Sequence, residues 1–290
     1  MRFAELFERA TGPLISFEVF PPRTDKAAES FERTLPRLAA LKPSYMTVTY
    51  GAMGSTQDRT AEIAGRIRRD FGLLTACHLT CVGSTIDEID TVLDSIRGLG
   101  IENIVALRGD PPRGESEFVA PEGGFSHANE LVAHIRGREQ FGIAVAGYPE
   151  KHIEAPDLET DLRHLEQKVR AGGDVVITQL FYDNADFYAF ERRARELGVS
   201  VPLVPGLMPI QSYGQIQKVA GMCGASIPPA LREELEAAAD DKDRVRQIGV
   251  EWTAAQAREL LERGTPGIHF YVLNRARQME EIMKKLGTVT

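Results

Sequence analysis

Apolar, β-branched and aromatic residues gather in eight short runs: ISFEVF (15–20), YMTVTYG (45–51), TACHLTC (75–81), NIVALRG (103–109), IAVAGY (143–148), DVVITQLF (174–181), PLVPGLMP (202–209) and IHFYVL (268–273). Each is almost continuously apolar, the pattern of a strand buried on both faces of a parallel sheet. Between the runs the apolar positions recur with the period of a helix. The clearest case follows Pro156, where Asp157 can cap the N-terminus and Leu158, Leu162, Leu165 and Val169 fall on one face. Gly172 and Gly173 end it, and Asp174 leads into the next run. Similar helices are expected at 26–41, 59–71, 86–99, 128–140, 185–197 and 275–286.

The order is strand then helix, repeated eight times, which predicts an α/β protein with a (β/α)8 TIM barrel as a single domain over residues 1–290. A doubly wound sheet would have fewer strands and a glycine-rich first turn, and neither G-x-G-x-x-G nor a P-loop occurs. The one irregularity is the extended segment 211–267 between strands seven and eight. It contains Pro228 and Pro229 and is expected to hold more than one helix as an insertion in the barrel. The charged run EELEAAADDKDR from Glu233 reads as a solvated helix and loop.

Composition narrows the chemistry. At 290 residues the core needs no staples, and the three cysteines include Cys77 and Cys81 inside one apolar run. A reducing compartment, and so the cytoplasm, is expected. The N-terminal MRFAELFERATG lacks the apolar core of a secretory signal, and no run approaches a membrane span. A formal net charge of -8, with both signs interleaved, argues against a nucleic-acid surface. An anionic ligand would have to be held by a few placed Arg, Lys and His side chains or by backbone amides.

In such a barrel the chemistry lies at the C-terminal strand ends. These carry Glu18, Thr49 and Tyr50, His78, Arg108 and Asp110, Tyr148, Gln179, and Tyr271 with Asn274 and Arg275. In NIVALRGDPP an apolar strand runs into Arg108, Gly109 and Asp110 and is stopped by Pro111 and Pro112; a local ion pair at a surface turn is the plain alternative. Glu18 sits between Phe17 and Val19, so desolvation should raise its pKa and suit it to general acid work, unless it is paired structurally with an arginine. Cys77, His78 and Cys81 suggest zinc, but alternation puts His78 on the opposite face from the two thiols, and no metal is expected. Asp161 and Lys168 share a helix face, and on spacing alone form an exposed charge pair. His152, just past YPE, is equally unremarkable on spacing.

Taken together, SFEVFPPRT, TYGAMGST, HLTC, ALRGDPP, GYPEKH, ITQLFYD, PGLMPI and GIHFYVLNR stand in an order and spacing that resembles the methylenetetrahydrofolate reductase family nearly from end to end. The resemblance implies FAD at the barrel mouth, reduced by NADH or NADPH and delivering hydride to 5,10-methylenetetrahydrofolate, with donor and folate taking turns. It implies that Glu18 is the general acid that protonates N10. It places Asp110 against flavin and pterin as a second catalytic residue, and Gln179 on the pterin and the nicotinamide donor. Flavin contacts are implied for Thr49, Tyr50, Ala52, His78, Arg108, Gly109, Asp110, Tyr148, His152, Asp161 and Lys168, and through a gapped loop for Ala128. Contacts to the folate tail are implied for Gln215, Tyr271 and Arg275.

For Asp161 and Lys168 the resemblance thus reverses the reading from spacing. Two departures stand out: Val219 replaces a phenylalanine that stacks on ligands, and Gln167 replaces an arginine near the flavin phosphates. A homodimer or tetramer is implied. The chain ends at Thr290, soon after strand eight, so the S-adenosylmethionine-sensing domain of larger eukaryotic members is not expected. Two other readings use some of the same residues. One is a metal-dependent lyase or aldolase with Glu18, Asp110, His78 and His152 around a divalent cation. The other is a non-catalytic folate-binding barrel, against which the intact Glu18, Asp110 and Gln179 argue.

Overall fold

The structure, a computed structural model, describes residues 1–50, 57–111, 118–138 and 141–287. Eight parallel strands close into a barrel in chain order: β1 (Leu14–Val19), β2 (Tyr45–Val48), β3 (Leu74–Thr80), β4 (Asn103–Leu107), β5 (Gly142–Gly147), β6 (Val175–Leu180), β7 (Leu203–Leu207) and β8 (Gly267–Tyr271). The helices that follow the strands are α2 (Asp25–Ala40), α3 (Gln57–Phe71), α4 (Ile86–Gly98), α5 (Ala128–Gly137), α6 (Leu158–Arg170), α7 (Asn184–Glu196) and α11 (Ala276–Leu286). The segment between strands seven and eight holds three: α8 (Tyr213–Cys223), α9 (Pro229–Ala237) and α10 (Lys242–Glu262). The (β/α)8 barrel and its extended segment are therefore as the sequence predicts. The charged run from Glu233 crosses from α9 into α10 with its charges exposed and Leu235 buried as its anchor.

Strand alternation divides the apolar residues between two cores. Phe17, Met46, Cys77, Ile104, Val145, Val176 and Phe270 pack against the helices. Their neighbours Tyr45, Ala76, Val105, Ala144, Val175, Ile177 and Val204 fill the barrel. Both faces are dry, which explains the unbroken apolar runs. The helix after Pro156 also forms as its pattern dictates: Asp157 accepts a hydrogen bond from the Thr160 amide at 2.7 Å, and Leu162 and Leu165 are buried. Among the described residues, no helix is long and apolar enough to cross a membrane.

Two features depart from the sequence reading. Each predicted strand overruns the observed one at its C-terminal end, where regular pairing stops although single bonds persist, from the Thr49 amide to the Val19 carbonyl at 3.0 Å and from the Cys81 amide to the Arg108 carbonyl at 3.0 Å. After β1, Pro21 and Pro22, which carry no N–H, cannot continue the ladder. The second is an unpredicted helix, α1 (Phe3–Arg9), that plugs the N-terminal end of the barrel. Phe3 is fully buried edge-on to Tyr45, with ring centroids 5.2 Å apart. Its amide donates to Asn103 Oδ1 at 2.8 Å, and Asn103 Nδ2 donates to the Met1 carbonyl at 3.0 Å. Gly142 makes this approach possible, since a Cβ there would lie 2.4 Å from Asn103 Oδ1 and 2.6 Å from the Phe3 nitrogen. The signal was the spacing of Phe3, Leu6 and Phe7, three residues that join the inner core.

Candidate functional site

Because Phe17 and Val19 face the helices, Ser16 and Glu18 face the barrel interior, where Glu18 is only 5% exposed. Its Oε2 lies 3.1 Å from Nε2 of His78 on β3 and 3.6 Å from Nε2 of His269 on β8. Nδ1 of His269 meets Ser16 Oγ at 2.8 Å, and its ring stacks on Tyr45 at 6.3 Å with 17° between the planes. The expected rise in the Glu18 pKa is not found. Desolvation does push the carboxyl up, but the charge of His78, followed by the polar interactions with His269 and His78, outweighs it and holds Glu18 at about 2. Its partners are imidazoles, not an arginine. Alternation along one strand could show that Glu18 is buried, but not what faces it across the barrel. His269 was missed, although it lies two residues before Tyr271 and therefore on the same strand face.

Above this cage opens a cavity of about 390 Å³, lined by Thr49, Arg108, Gly109, Asp110, Tyr148, His152, Gln179 and Tyr271 together with Phe20, Val219 and Cys223. A register shift between Ile177 and Leu180 accompanies the inward turn of Gln179, whose Oε1 accepts from the Leu180 amide at 2.9 Å. Tyr271 donates to the Thr178 carbonyl at 2.6 Å. Gly206 leaves room for that bond, because a Cβ would lie 2.1 Å from the same carbonyl oxygen and 2.7 Å from the Tyr271 ring. Asn274 ties the loops after β1 and β8 together, donating to the Phe20 carbonyl at 2.8 Å and accepting from its amide at 3.0 Å. Arg108 does not pair with Asp110. It gives both Nη groups to Glu154, at 2.5 and 2.8 Å, and lies over the Phe118 ring. Asp110 is exposed at the mouth.

A second cavity, of about 360 Å³, runs outward between β4, β5, α5 and α6 and includes Ala128, Asp161, Gln167 and Lys168. The two share Leu107, Arg108, Ala146, Tyr148 and His152, so they form one elongated groove. The exposed-pair reading of Asp161 and Lys168 is overturned, because this face of α6 packs toward β5. Asp161 is 6% exposed and accepts from the His152 amide at 3.1 Å. Lys168 donates to the Ala146 carbonyl at 2.6 Å and lies 5.6 Å from the Tyr148 ring centre. Burial lowers its pKa to about 8, against the opposing pull of Asp161. Burial, then the nearby Arg108 charge, also lowers the pKa of His152.

Some expected residues are not brought to these cavities. Tyr50 packs against the helix-facing core. Gln215 is engaged on α8, accepting from the Gln211 amide at 3.1 Å, and Arg275 is an exposed N-cap of α11; neither lines the groove. Ala52 lies outside the described residues. Cys77 and Cys81 are buried in the outer core, on the face away from His78, and burial pushes both thiols up to about 12. Among the described residues, no three His, Cys, Asp or Glu side chains gather as metal ligands. Glu154, the partner of Arg108, had no signal in the sequence.

The groove thus joins a polar mouth over a buried carboxylate to a channel carrying Lys168, Arg108 and His152. It suits a long ligand with a flat polar ring at one end and an anionic linker further out. A family model described as methylenetetrahydrofolate reductase matches residues 2–287. Methylenetetrahydrofolate reductase (NADH) 1 of Arabidopsis thaliana is 41% identical over 285 residues, which cover 94% of this chain and 48% of that protein. The 5,10-methylenetetrahydrofolate reductase of Escherichia coli is 37% identical over 273 residues, covering 94% of this chain and 90% of that one. The chain therefore spans about half the length of its plant relatives. Among solved structures, a Clostridium thermocellum protein that binds two copies of 5-methyl-5,6,7,8-tetrahydrofolic acid shares the fold, with a TM-score of 0.64 and 17% identity over 97% of this chain and 96% of that one.

Proposed function

The chain belongs to the methylenetetrahydrofolate reductase family, and from that premise we propose that it is a flavin-dependent oxidoreductase reducing 5,10-methylenetetrahydrofolate to 5-methyltetrahydrofolate with NADH or NADPH. The observation that carries this reading is the continuity of the groove, from the Glu18 cage to the half-buried ammonium of Lys168. FAD suits it. Among the described residues Lys168 has only a carbonyl oxygen at hydrogen-bond distance, so a pyrophosphate would find a desolvated cation with capacity to spare. Asp161 is an acceptor suited to a ribose hydroxyl, and Ala128 forms the wall opposite. The flavin ring would lie in the mouth among Thr49, His78, Gly109, Asp110, Tyr148 and His152. When bound, FAD supplies the two-electron carrier that links nicotinamide to folate.

The chain's own residues do the rest. Glu18 delivers a proton to N10 of the folate, opening the five-membered ring to a cationic iminium at N5. Asp110, exposed beside the ring site and not neutralised by Arg108, favours that cation and opposes further negative charge on the ring system. Gln179 offers both a donor and an acceptor to the pterin or the nicotinamide. Tyr271 forms the far wall of the mouth, and Arg275 and Gln215 would meet the glutamyl tail beyond it. Val219 leaves the mouth wider than a phenylalanine would. The plant relatives carry NADH in their names, so NADH is the donor to try first. The reading includes a cytoplasmic dimer or tetramer, which light scattering would check. The visible spectrum of the purified protein tests the whole: a flavin spectrum bleached by NADH supports it, and a colourless, metal-loaded protein overturns it.

A further inference from the structure

A carboxyl held ionised by its surroundings can serve as an acid only if a neighbour stores the proton. Beneath Glu18, Ser16 Oγ lies 2.8 Å from His269 Nδ1 and 3.4 Å from the Ile268 carbonyl, and it also meets the Tyr45 hydroxyl. A carbonyl oxygen can only accept, and with the serine proton turned to Ile268 the serine lone pair receives Nδ1–H of His269. The other ring nitrogen, Nε2, is buried, has no partner within 3.5 Å among the described residues, and faces Glu18 at 3.6 Å. Were Nε2 bare, its lone pair would oppose a carboxylate oxygen. One proton therefore belongs between them.

We propose that His269, held in one orientation by Ser16 and Tyr45, is the positioning residue that stores the proton Glu18 delivers. The inference rests on the reductase reading. In the step, the Nε2–H bond of an imidazolium breaks and an O–H bond forms on Glu18, which passes the proton to the substrate amine. His269 becomes neutral, Glu18 returns to carboxylate, and the substrate gains the positive charge. His78, on the solvent side of the carboxylate, is the route by which water restores the proton. The 3.6 Å gap must shorten by about half an ångström for transfer, as catalytic contacts do when ligand fills a site. The titratable groups around His269 are Glu18 from β1, Tyr45 from β2, His78 from β3 and Tyr271 from β8.

Side-chain nitrogen NMR of the apoprotein tests the pair without flavin or folate. In the wild type, His269 should show a protonated Nδ1 and an Nε2 shift between those of bare and protonated nitrogen. In Glu18→Gln the Nε2 shift should move to that of a bare nitrogen accepting from the amide. A bare Nδ1, or an Nε2 shift unmoved by Glu18→Gln, overturns the proposal. In the flavin-loaded enzyme, Ser16→Ala should lower the ratio of folate reduction to flavin reduction about tenfold and move the pH profile of that ratio, with Ser16→Thr restoring both. A fall in both half-reactions together, with the profile unmoved, would mean a structural role and overturn it. If the wild type takes up flavin but never acts on folate, the reductase reading fails, and the NMR result still decides whether the proton is shared.

Discussion

The two ends of the barrel are built on the same eight strands and bury their inner faces in opposite ways. At the N-terminal end, Phe3, Tyr45 and small aliphatic residues form a dry plug in which the Asn103 side chain is held by the backbone of Met1 and Phe3. At the C-terminal end, Glu18, His78 and His269 are buried and Lys168 is half-buried as charge or potential charge, and two of them depart far from their ordinary pKa. Burial by itself therefore does not mark the site. Unspent titratable chemistry does: the plug holds the fold shut, while the mouth holds groups whose protonation can change when a ligand arrives.

Mutations should separate the two ends. The largest effect is expected from Glu18→Gln, which should lower folate reduction about a thousandfold, or about 4 kcal/mol, in a steady-state assay. Phe3→Ala opens the plug and should cost about 3 kcal/mol by denaturant titration, with activity per folded molecule kept. An equal loss of activity in the two variants would break the distinction. Lys168→Met should weaken FAD binding by about 2 kcal/mol in a fluorescence titration, because an anion loses its desolvated partner.

Proton linkage sharpens the contrast further. Lys168 releases its proton near 8 in the free protein, so FAD affinity should fall as pH rises through about 8, and this slope should vanish in Lys168→Met. Glu18 has its pKa depressed from 4.5 to about 2, so its ionised form stabilises the fold above about 4.5, and that contribution disappears as pH falls toward 2. Acid titration of Glu18→Gln should lack this component. The smallest effect is expected from Glu154→Gln, since the Arg108 pair is half open to solvent: less than about 1 kcal/mol in stability.

Most of the mouth was legible in the sequence because a parallel strand, once recognised, fixes which residues point inward. Glu18, His78, Gln179 and Tyr271 follow from that rule. What it could not supply was contact across the barrel, where residues far apart in the chain meet. The Glu18 pKa was therefore expected to rise, and His269 went unnoticed. Asp161 and Lys168 show the converse limit: helix spacing shows that two residues share a face, but not whether that face meets water or a strand. The plug helix α1 was missed for a third reason, since three apolar residues in a single short turn look like an ordinary terminus until Asn103 and Gly142 are seen to receive them.

The central claim is that one flavin in this mouth serves a nicotinamide and a folate in turn, with Glu18 needed only for the second. Anaerobic stopped-flow spectroscopy of the flavin-loaded protein tests it most directly. The account predicts bleaching of the flavin by NADH and its recovery on adding 5,10-methylenetetrahydrofolate, with Glu18→Gln retaining the bleaching and losing the recovery. A wild type that stays bleached in the presence of the folate, or a Glu18→Gln protein that loses both phases alike, would contradict it.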